Sequence, residues 1–556
     1  MNIIESANYS NITDVDDLKS RFGEIFEKKD DTEFEKSSDS NSEDDEADEV
    51  KKSKSNRSEA SKSDEVVYAD LNKVDNIFKN IIIFTNSRDR KENKTLDNVY
   101  EAIDNIKRAK CDVIPEIHVF VAAKVDCDDD EREITIEDDN EKFVIKEHSN
   151  TDTLIISRLG VQGEDECEHI VELLQDRGFL VLNPIRYSQL ASNKYDTARL
   201  LQKAEIPQPN FCLMTKDILD DEKLYNHALK DVNKKYDPKK ENDDISVVVK
   251  ILDGHGGTGV FLCKCDKLRA ILQTIFAVDP ERQLIIQSKE EADGGDIRVH
   301  VLTLRNKQLI LGAMKRVKLG NDFRSNVSLG AKAEKVELTP EQEQIALKAA
   351  KVSRLPWCAV DIMPLVKGTN KKLGDNAVLE LNASPGTDGI SEVLDVNFVN
   401  VILSNLTDPS DFMIQRKVAG FLEAVEITFK DGVTKQYLGK LDTGNGTQGT
   451  SVEVGEYTEK DNKITFKIDG KEMTFDIVGV SKAKAGNDIL ERPIIKVDNV
   501  KIGLRQMTNV NVSIIKSRER STNVLVNRDL LSALGYTVAS DETHILTDEI
   551  EKINIV

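Results

Sequence analysis

Three oxygen-bearing side chains near the middle of this sequence are of the types and spacing that could hold a hard metal ion. In the segment LELNASPGTDG, from Leu379 to Gly389, Glu380 and Asn382 stand two residues apart. On a strand that spacing puts both side chains on one face. A carboxylate beside a carboxamide suits Mg²⁺, with Mn²⁺ as a substitute, rather than zinc or iron. The earlier run WCAVDIMP places Asp361 among apolar neighbours. A buried carboxylate needs a partner, since an unpaired buried charge is costly. A metal shared by Asp361, Glu380 and Asn382 would supply one.

A second constellation is built for phosphate. VVVKILDGHGGTGV sets Lys250 on a strand before Gly254, Gly256, Gly257 and Gly259. Glycines let backbone N–H groups approach phosphate oxygens, and a lysine beside them neutralises charge. No Gly-Lys-Ser/Thr follows, and the loop joins two strands, so neither a Walker A motif nor a dinucleotide fingerprint fits. Asp296 and Arg298 share a strand face in DGGDIRVHVL, Arg316 lies in AMKRVK, and NDFRSN offers Arg324, Ser325 and Asn326. Together these residues predict an ATP site with Mg²⁺ under a strand-loop-strand flap.

The elements that must position them follow from the patterning. A chain of 556 residues exceeds one core and predicts several domains. The formal net charge of −23 argues against a nucleic-acid-binding surface. Much of the acidity sits in residues 30–65, which are nearly devoid of apolar side chains; with their flanks they predict a disordered acidic tail over residues 1–75. Before it, VDDLKSRFGEIFEKK has the spacing of an isolated amphipathic helix. Residues 76–190 alternate strand and helix, which predicts a parallel α/β layer. Residues 191–410 carry both constellations, and Thr339-Pro340-Glu341-Gln342 opens a helix within them. From about residue 415 to 556, short alternating strands between Gly-Asn and Asp-Gly turns predict an all-β domain with one helix at NRDLLSAL.

Seven cysteines include no C-x-x-C pair. Cys263 and Cys265, read as flanking one strand residue, are expected to be core thiols of a reducing compartment. No apolar run approaches the roughly 20 residues that span a bilayer. The expectation is a cytoplasmic protein that needs neither membrane nor nucleic acid.

LLQKAEIPQP after Asn193-Lys194, VVVKILDGHGGTGV, LIIQSKEEADGGDIRVHVL, NDFRSN, AVDIM and LELNASPG, in this order across residues 77–405, resemble an ATP-grasp ligase of the RimK-like group. The resemblance implies a pre-ATP-grasp α/β domain followed by two α+β lobes with ATP between them. It implies a ligase that joins an amino acid, often glutamate, to a carboxyl group of a peptide or protein through an acyl phosphate. Carried over by position, Lys194 and Lys250 would contact phosphates and the loop from Gly254 to Gly259 would close over them. Gln287 and Ser288 would lie near the adenine, and Asp296 on the ribose or base side. Arg324, Ser325 and Asn326 would line the nucleotide and acyl-phosphate region, Arg324, Asn326 and Arg298 would be catalytic, and Asp361, Glu380 and Asn382 would bind Mg²⁺. Ser288 stands where the family usually has Glu.

The C-terminal block carries Asp442-Thr443-Gly444 in YLGKLDTGNGT. With GNDILERPIIKVDNVKIG and LVNRDLLSALGYTV it resembles retropepsin-like domains known as ATP-dependent zinc proteases, in which Asp442 would be catalytic. Here Asn527 stands where Gly is usual, and Asn-Gly-Thr follows the D-T-G. After Cys358 there is no cysteine and after His300 only His544, which argues against zinc. One D-T-G per chain would need a second copy to make a carboxylate dyad, so catalysis there implies a homo-oligomer. The expected architecture is multidomain α/β and α+β, with an ATP-grasp fold and a C-terminal retropepsin-like barrel. The alternative function is an aspartic-type protease or peptide-binding scaffold with a regulatory ATP-grasp block.

Overall fold

The computed structural model describes residues 66–553 apart from 92, 129–132, 160–165, 253, 255–258, 306, 318–331, 369–372, 413–415, 446–448, 486–487 and 517–520. The acidic segment and the amphipathic stretch before it lie outside the described residues. Residues 66–75, expected to belong to the tail, lie against a sheet: Ala69 N–H donates to the Ile310 carbonyl at 3.0 Å, and Tyr68 Oη donates to Glu343.

The first sheet is parallel, as the alternation of strand and helix predicts. Its strands run in the spatial order Glu116–Phe120, Asn80–Thr85, Thr153–Arg158, Leu180–Leu182. Both faces of Asn80–Thr85 are buried, so the strand reads as a continuous apolar run. The helix Lys94–Ala109 covers one face. The other is covered by the helix Glu166–Asp176 and an antiparallel insert of Lys124–Asp128, Glu133–Glu137 and Lys142–Lys146. The first face is not a private core. Phe78, Ile81 and Leu96 pack in one cluster with Leu302, Trp357, Phe398 and Phe412.

Two antiparallel sheets follow. The smaller pairs Val260–Lys264, Ser246–Ile251, Leu284–Ser288 and Phe211–Met214 in that order. Cys263 lies next to last in its edge strand, but Cys265 opens the helix Cys265–Val278, so the two thiols belong to different elements; both are buried, as expected of core thiols. The larger sheet orders Lys332–Lys335, Gln308–Val317, Asp296–Thr303, Trp357–Pro364 and Asn376–Asn382. The helix Pro340–Ser353 packs Ile345, Ala346 and Ala349 onto Val299, Val301 and Val360. It starts with the predicted capping box between Thr339 and Gln342 and has Pro340 in its first turn.

Beyond residue 415, six strands close into a barrel. Leu422–Thr428, Thr434–Asp442, Val524–Asn527, Thr450–Val454, Arg505–Lys516 and Asp488–Ile502 pair in turn, and the last pairs back to the first. The predicted helix is present at Arg528–Leu534, with Asn527 as its N-cap. Among the described residues, no helix is long and apolar enough to cross a membrane.

Candidate active site

The strand Trp357–Pro364 alternates strictly. Cys358, Val360 and Ile362 face the helix Pro340–Ser353, which leaves Asp361 on the opposite face. On the neighbouring strand, Val378 and Leu381 both face that helix, which strict alternation forbids. A bulge resolves this. Ile362 pairs with Val378 and Asp361 with Glu380, so Leu379 is the extra residue. The bulge turns Glu380 and Asn382 to the face that carries Asp361.

Asp361 is 1% exposed, and its partners come from the protein itself. Arg298, its register partner on the strand Asp296–Thr303, closes two hydrogen bonds to it at 2.8 and 2.7 Å. Arg316 donates to the same carboxylate at 2.8 Å and to Asp296 at 2.6 and 2.9 Å. Asn382 Nδ2 adds a contact to Asp361 at 3.1 Å. Burial alone would raise the Asp361 carboxyl, but the two guanidiniums outweigh it and hold it well below the usual carboxylate range. Its charge therefore needs no metal for balance, unlike the expectation from sequence. Gly295, just before this network, has φ +126°, and a Cβ there would meet the Arg316 carbonyl oxygen at 2.1 Å.

The residues expected on the phosphate side come from the smaller sheet and the helix before it. Asn193 caps the helix Lys194–Lys203, accepting from the N–H groups of Tyr195 and Asp196. This fixes Lys194, whose ammonium donates to the carbonyls of Gly254 and Leu252. Lys250, half-buried, lies one strand from the edge, paired with Val260 and Ile285. Burial pushes its ammonium below the usual lysine range; Glu380 pulls back, Lys194 adds repulsion, and Asp361 pulls back more weakly. Gly259 has φ +69°, a backbone conformation that favours glycine, and a Cβ there would lie 2.4 Å from the Ile251 side chain, which would have to shift.

A cavity of about 330 Å³ joins the two halves, lined by Lys194, Lys250, Gly254 and Gln287 on one side and Glu380 and Asn382 on the other. Ser288 is buried beside Gln287 and donates to Glu290 at 2.6 Å. Asp296 is taken up by Arg316. Gly256, Gly257, Arg324, Ser325 and Asn326 lie outside the described residues. Asp442 ends its barrel strand, where its carboxylate accepts from Gly444 N–H at 2.9 Å.

Two positions escaped the sequence reading. Asn183 accepts from Trp357 N–H at 3.0 Å and donates to the carbonyls of Trp357 and Ala383, tying the parallel sheet to both acidic strands. Arg158, at the end of a parallel strand, lines the same cavity. Both depend on chain segments about 200 residues apart meeting, and nothing local announces that.

The donor set suits Mg²⁺ held chiefly by Glu380 and Asn382 with phosphate oxygens, the arrangement that cation favours. Among the described residues, no group of three or more His, Cys, Asp or Glu side chains forms a self-sufficient cage.

Residues 191–406 match the family model of the RimK-like ATP-grasp domain. All the described cavity residues except Arg158 fall inside the matched segment. The chain is 31% identical over 214 residues to a "Probable alpha-L-glutamate ligase" of Rhodopirellula baltica, covering 37% of this chain and 49% of that protein. It is 28% identical over 254 residues to the protein of the same name in Trichodesmium erythraeum, covering 45% and 76%. The chain thus spans 49% of one of these relatives and 76% of the other. Among solved structures, the ATP-grasp ligase PsnB complexed with minimal precursor aligns with TM-score 0.41 and 18% identity, over 58% of this chain and 98% of that one. D-alanyl-alanine synthetase A from Vibrio cholerae aligns with TM-score 0.39 and 14% identity, over 59% and 96%.

Proposed function

We propose that the chain is an ATP- and Mg²⁺-dependent carboxylate–amine ligase that adds an amino acid, glutamate foremost, to a carboxyl group of a peptide or protein. The observation that carries this reading is the cavity with Lys194, Lys250 and Gly254 on one wall and Glu380 with Asn382 on the other. The RimK-like match and the ligase names of the relatives support it.

The chemistry fits the residues. A substrate carboxylate oxygen attacks the γ-phosphorus of ATP, the bond to the β–γ bridging oxygen breaks, and ADP leaves. The amine nitrogen then attacks the acyl carbon, the C–O bond to phosphate breaks, and the amine proton passes to solvent. Each step needs charge neutralisation rather than a covalent nucleophile from the protein. Lys194 and Lys250 supply it on the phosphate side. Mg²⁺, held by Glu380 and Asn382, would neutralise the β- and γ-oxygens. Asp361, fixed by Arg298 and Arg316, orients Asn382 from behind. Arg324, Ser325 and Asn326 remain assigned to the acyl-phosphate region, and Gln287 and Ser288 to the adenine.

A second reading gives the barrel a retropepsin-like role, as an aspartic-type peptidase or a peptide-binding module. It is favoured by the register that sets Asp442 opposite Asn527, which brings the D-T-G loop to the turn before the helix Arg528–Leu534. Cleavage would need Asp442 from a second copy of the chain.

The test is ADP release from ATP and Mg²⁺ with a panel of amino acids and short acidic peptides. Release stimulated by one amino acid, with a new amide bond seen by mass spectrometry, supports the ligase. Peptide cleavage without amide formation, lost in Asp442→Ala, favours the second reading.

A further inference from the structure

We propose that an open cavity beside Arg158 seats the incoming amino acid, with Arg158 and Lys94 receiving its carboxylates and Asp388 its ammonium. The inference rests on the ligase reading and deepens it.

The cavity, about 360 Å³, lies between the parallel sheet and the loop after Asn382, and Lys94, Arg158 and Asp388 line it together with Asn86. Arg158 also lines the cavity assigned to ATP, so the two spaces share one guanidinium as a wall. An amine held in the second space approaches whatever is activated in the first.

The state of Arg158 points to an anionic ligand. Its guanidinium is pinned by two neutral acceptors, the Pro385 carbonyl at 3.1 Å and Thr95 Oγ1 at 3.2 Å. Among the described residues, no carboxylate closes an ion pair with it. Burial pushes it down to about 10, with only Asp388 pulling back. A half-buried guanidinium held only by neutral acceptors gains from a bidentate carboxylate. Lys94, exposed at the start of its helix, adds a second positive charge to the wall.

Asp388 completes the match. One oxygen accepts from Asn98 Nδ2 at 3.0 Å, which orients the carboxylate and leaves its remaining lone pairs for a donor. Two cations and one carboxylate give the wall a charge of +1. An acidic amino acid, with two carboxylates and one ammonium, carries −1. A neutral amino acid fills only two of the three positions.

The test uses the full-length protein, with glutamate and glutamine as amino-acid substrates and amide formation as readout. Lys94→Met and Asp388→Asn are the variants, and ADP binding by calorimetry reports whether each still folds its nucleotide site. The expected result is a rise of tenfold or more in KM for glutamate in both variants, with ADP affinity unchanged. Lys94→Met should also narrow the preference for glutamate over glutamine. Wild-type KM for glutamate in both variants, in an active ligase, would overturn the seat and leave the ligase intact. No amide from the wild type with any amino acid would overturn the ligase reading itself, and the seat with it.

Discussion

Arg298 and Asp361 are register partners on adjacent antiparallel strands and close a bidentate ion pair, 2.8 and 2.7 Å, at a carboxylate with 1% exposure. Arg316 shares the same oxygen. The pair backs the cavity wall that carries Glu380 and Asn382, because Asn382 donates to the same carboxylate.

Removing that carboxylate should be costly. Asp361→Asn leaves two guanidiniums facing a neutral amide, and breaking a buried ion pair costs about 3–5 kcal/mol. The expected result is a lower urea midpoint with an unchanged slope. The sign with pH follows from the depressed folded pKa. The stabilisation from Asp361 is present above its unfolded pKa, about 3.9, and is lost as pH falls towards its folded value. Acid titration of stability should show this loss in the wild type and lack it in the variant.

Glu380 is half-buried and lines the cavity. Glu380→Ala should abolish ATP turnover while leaving the thermal midpoint within about 2 °C of wild type, because a partly exposed side chain outside the core is removed. Turnover at the wild-type rate would take Glu380 out of the metal site.

Lys250 offers a pH signature. Only its ammonium neutralises phosphate, so activity is present below its pKa and is lost as pH rises through it. Burial lowers that pKa, so the alkaline limb of kcat/KM should fall at lower pH than for an ordinary lysine. Lys250→Arg should move the limb upward, since a guanidinium stays charged. Glu380→Gln, followed by the pH dependence of ATP binding rather than turnover, should move the Lys250 titration down further.

Asp442 is not among the residues that line the ATP cavity, at the end of a barrel strand. Asp442→Ala should leave amino-acid-dependent ADP release within about twofold of wild type. A loss of tenfold or more would tie the two regions functionally.

Several of the expected residues that share the cavity were legible in the sequence because they sit in strongly patterned local elements. Lys250 before a glycine loop, the Thr339 capping box, and Glu380 with Asn382 on one face are all properties of a few adjacent residues. What escaped it is non-local. The bulge at Leu379 is set by pairing with Asp361, so alternation alone misplaces Leu381. Asp361 looked unpartnered because Arg298 and Arg316 arrive from strands 63 and 45 residues away. Arg158 and Asn183 belong to a different sheet, and only the shared core of Phe78, Trp357 and Phe398 brings them to the site.

Arg505 is fully buried in the seam between barrel and parallel sheet, donating to the carbonyls of Asp176, Leu534 and Gly535. Asn150 reaches the Gln506 carbonyl at 3.0 Å, and Lys417 pairs with Asp176 at 2.7 Å. These ties make the barrel a fixed fixture of the half of the molecule that carries Arg158. Were the barrel to hold a polypeptide, as the second reading has it, that chain would sit at a constant offset from the cavity between Lys250 and Glu380. The barrel would then act as a ruler, selecting the position along a bound chain that can be reached, independently of the sequence at that position.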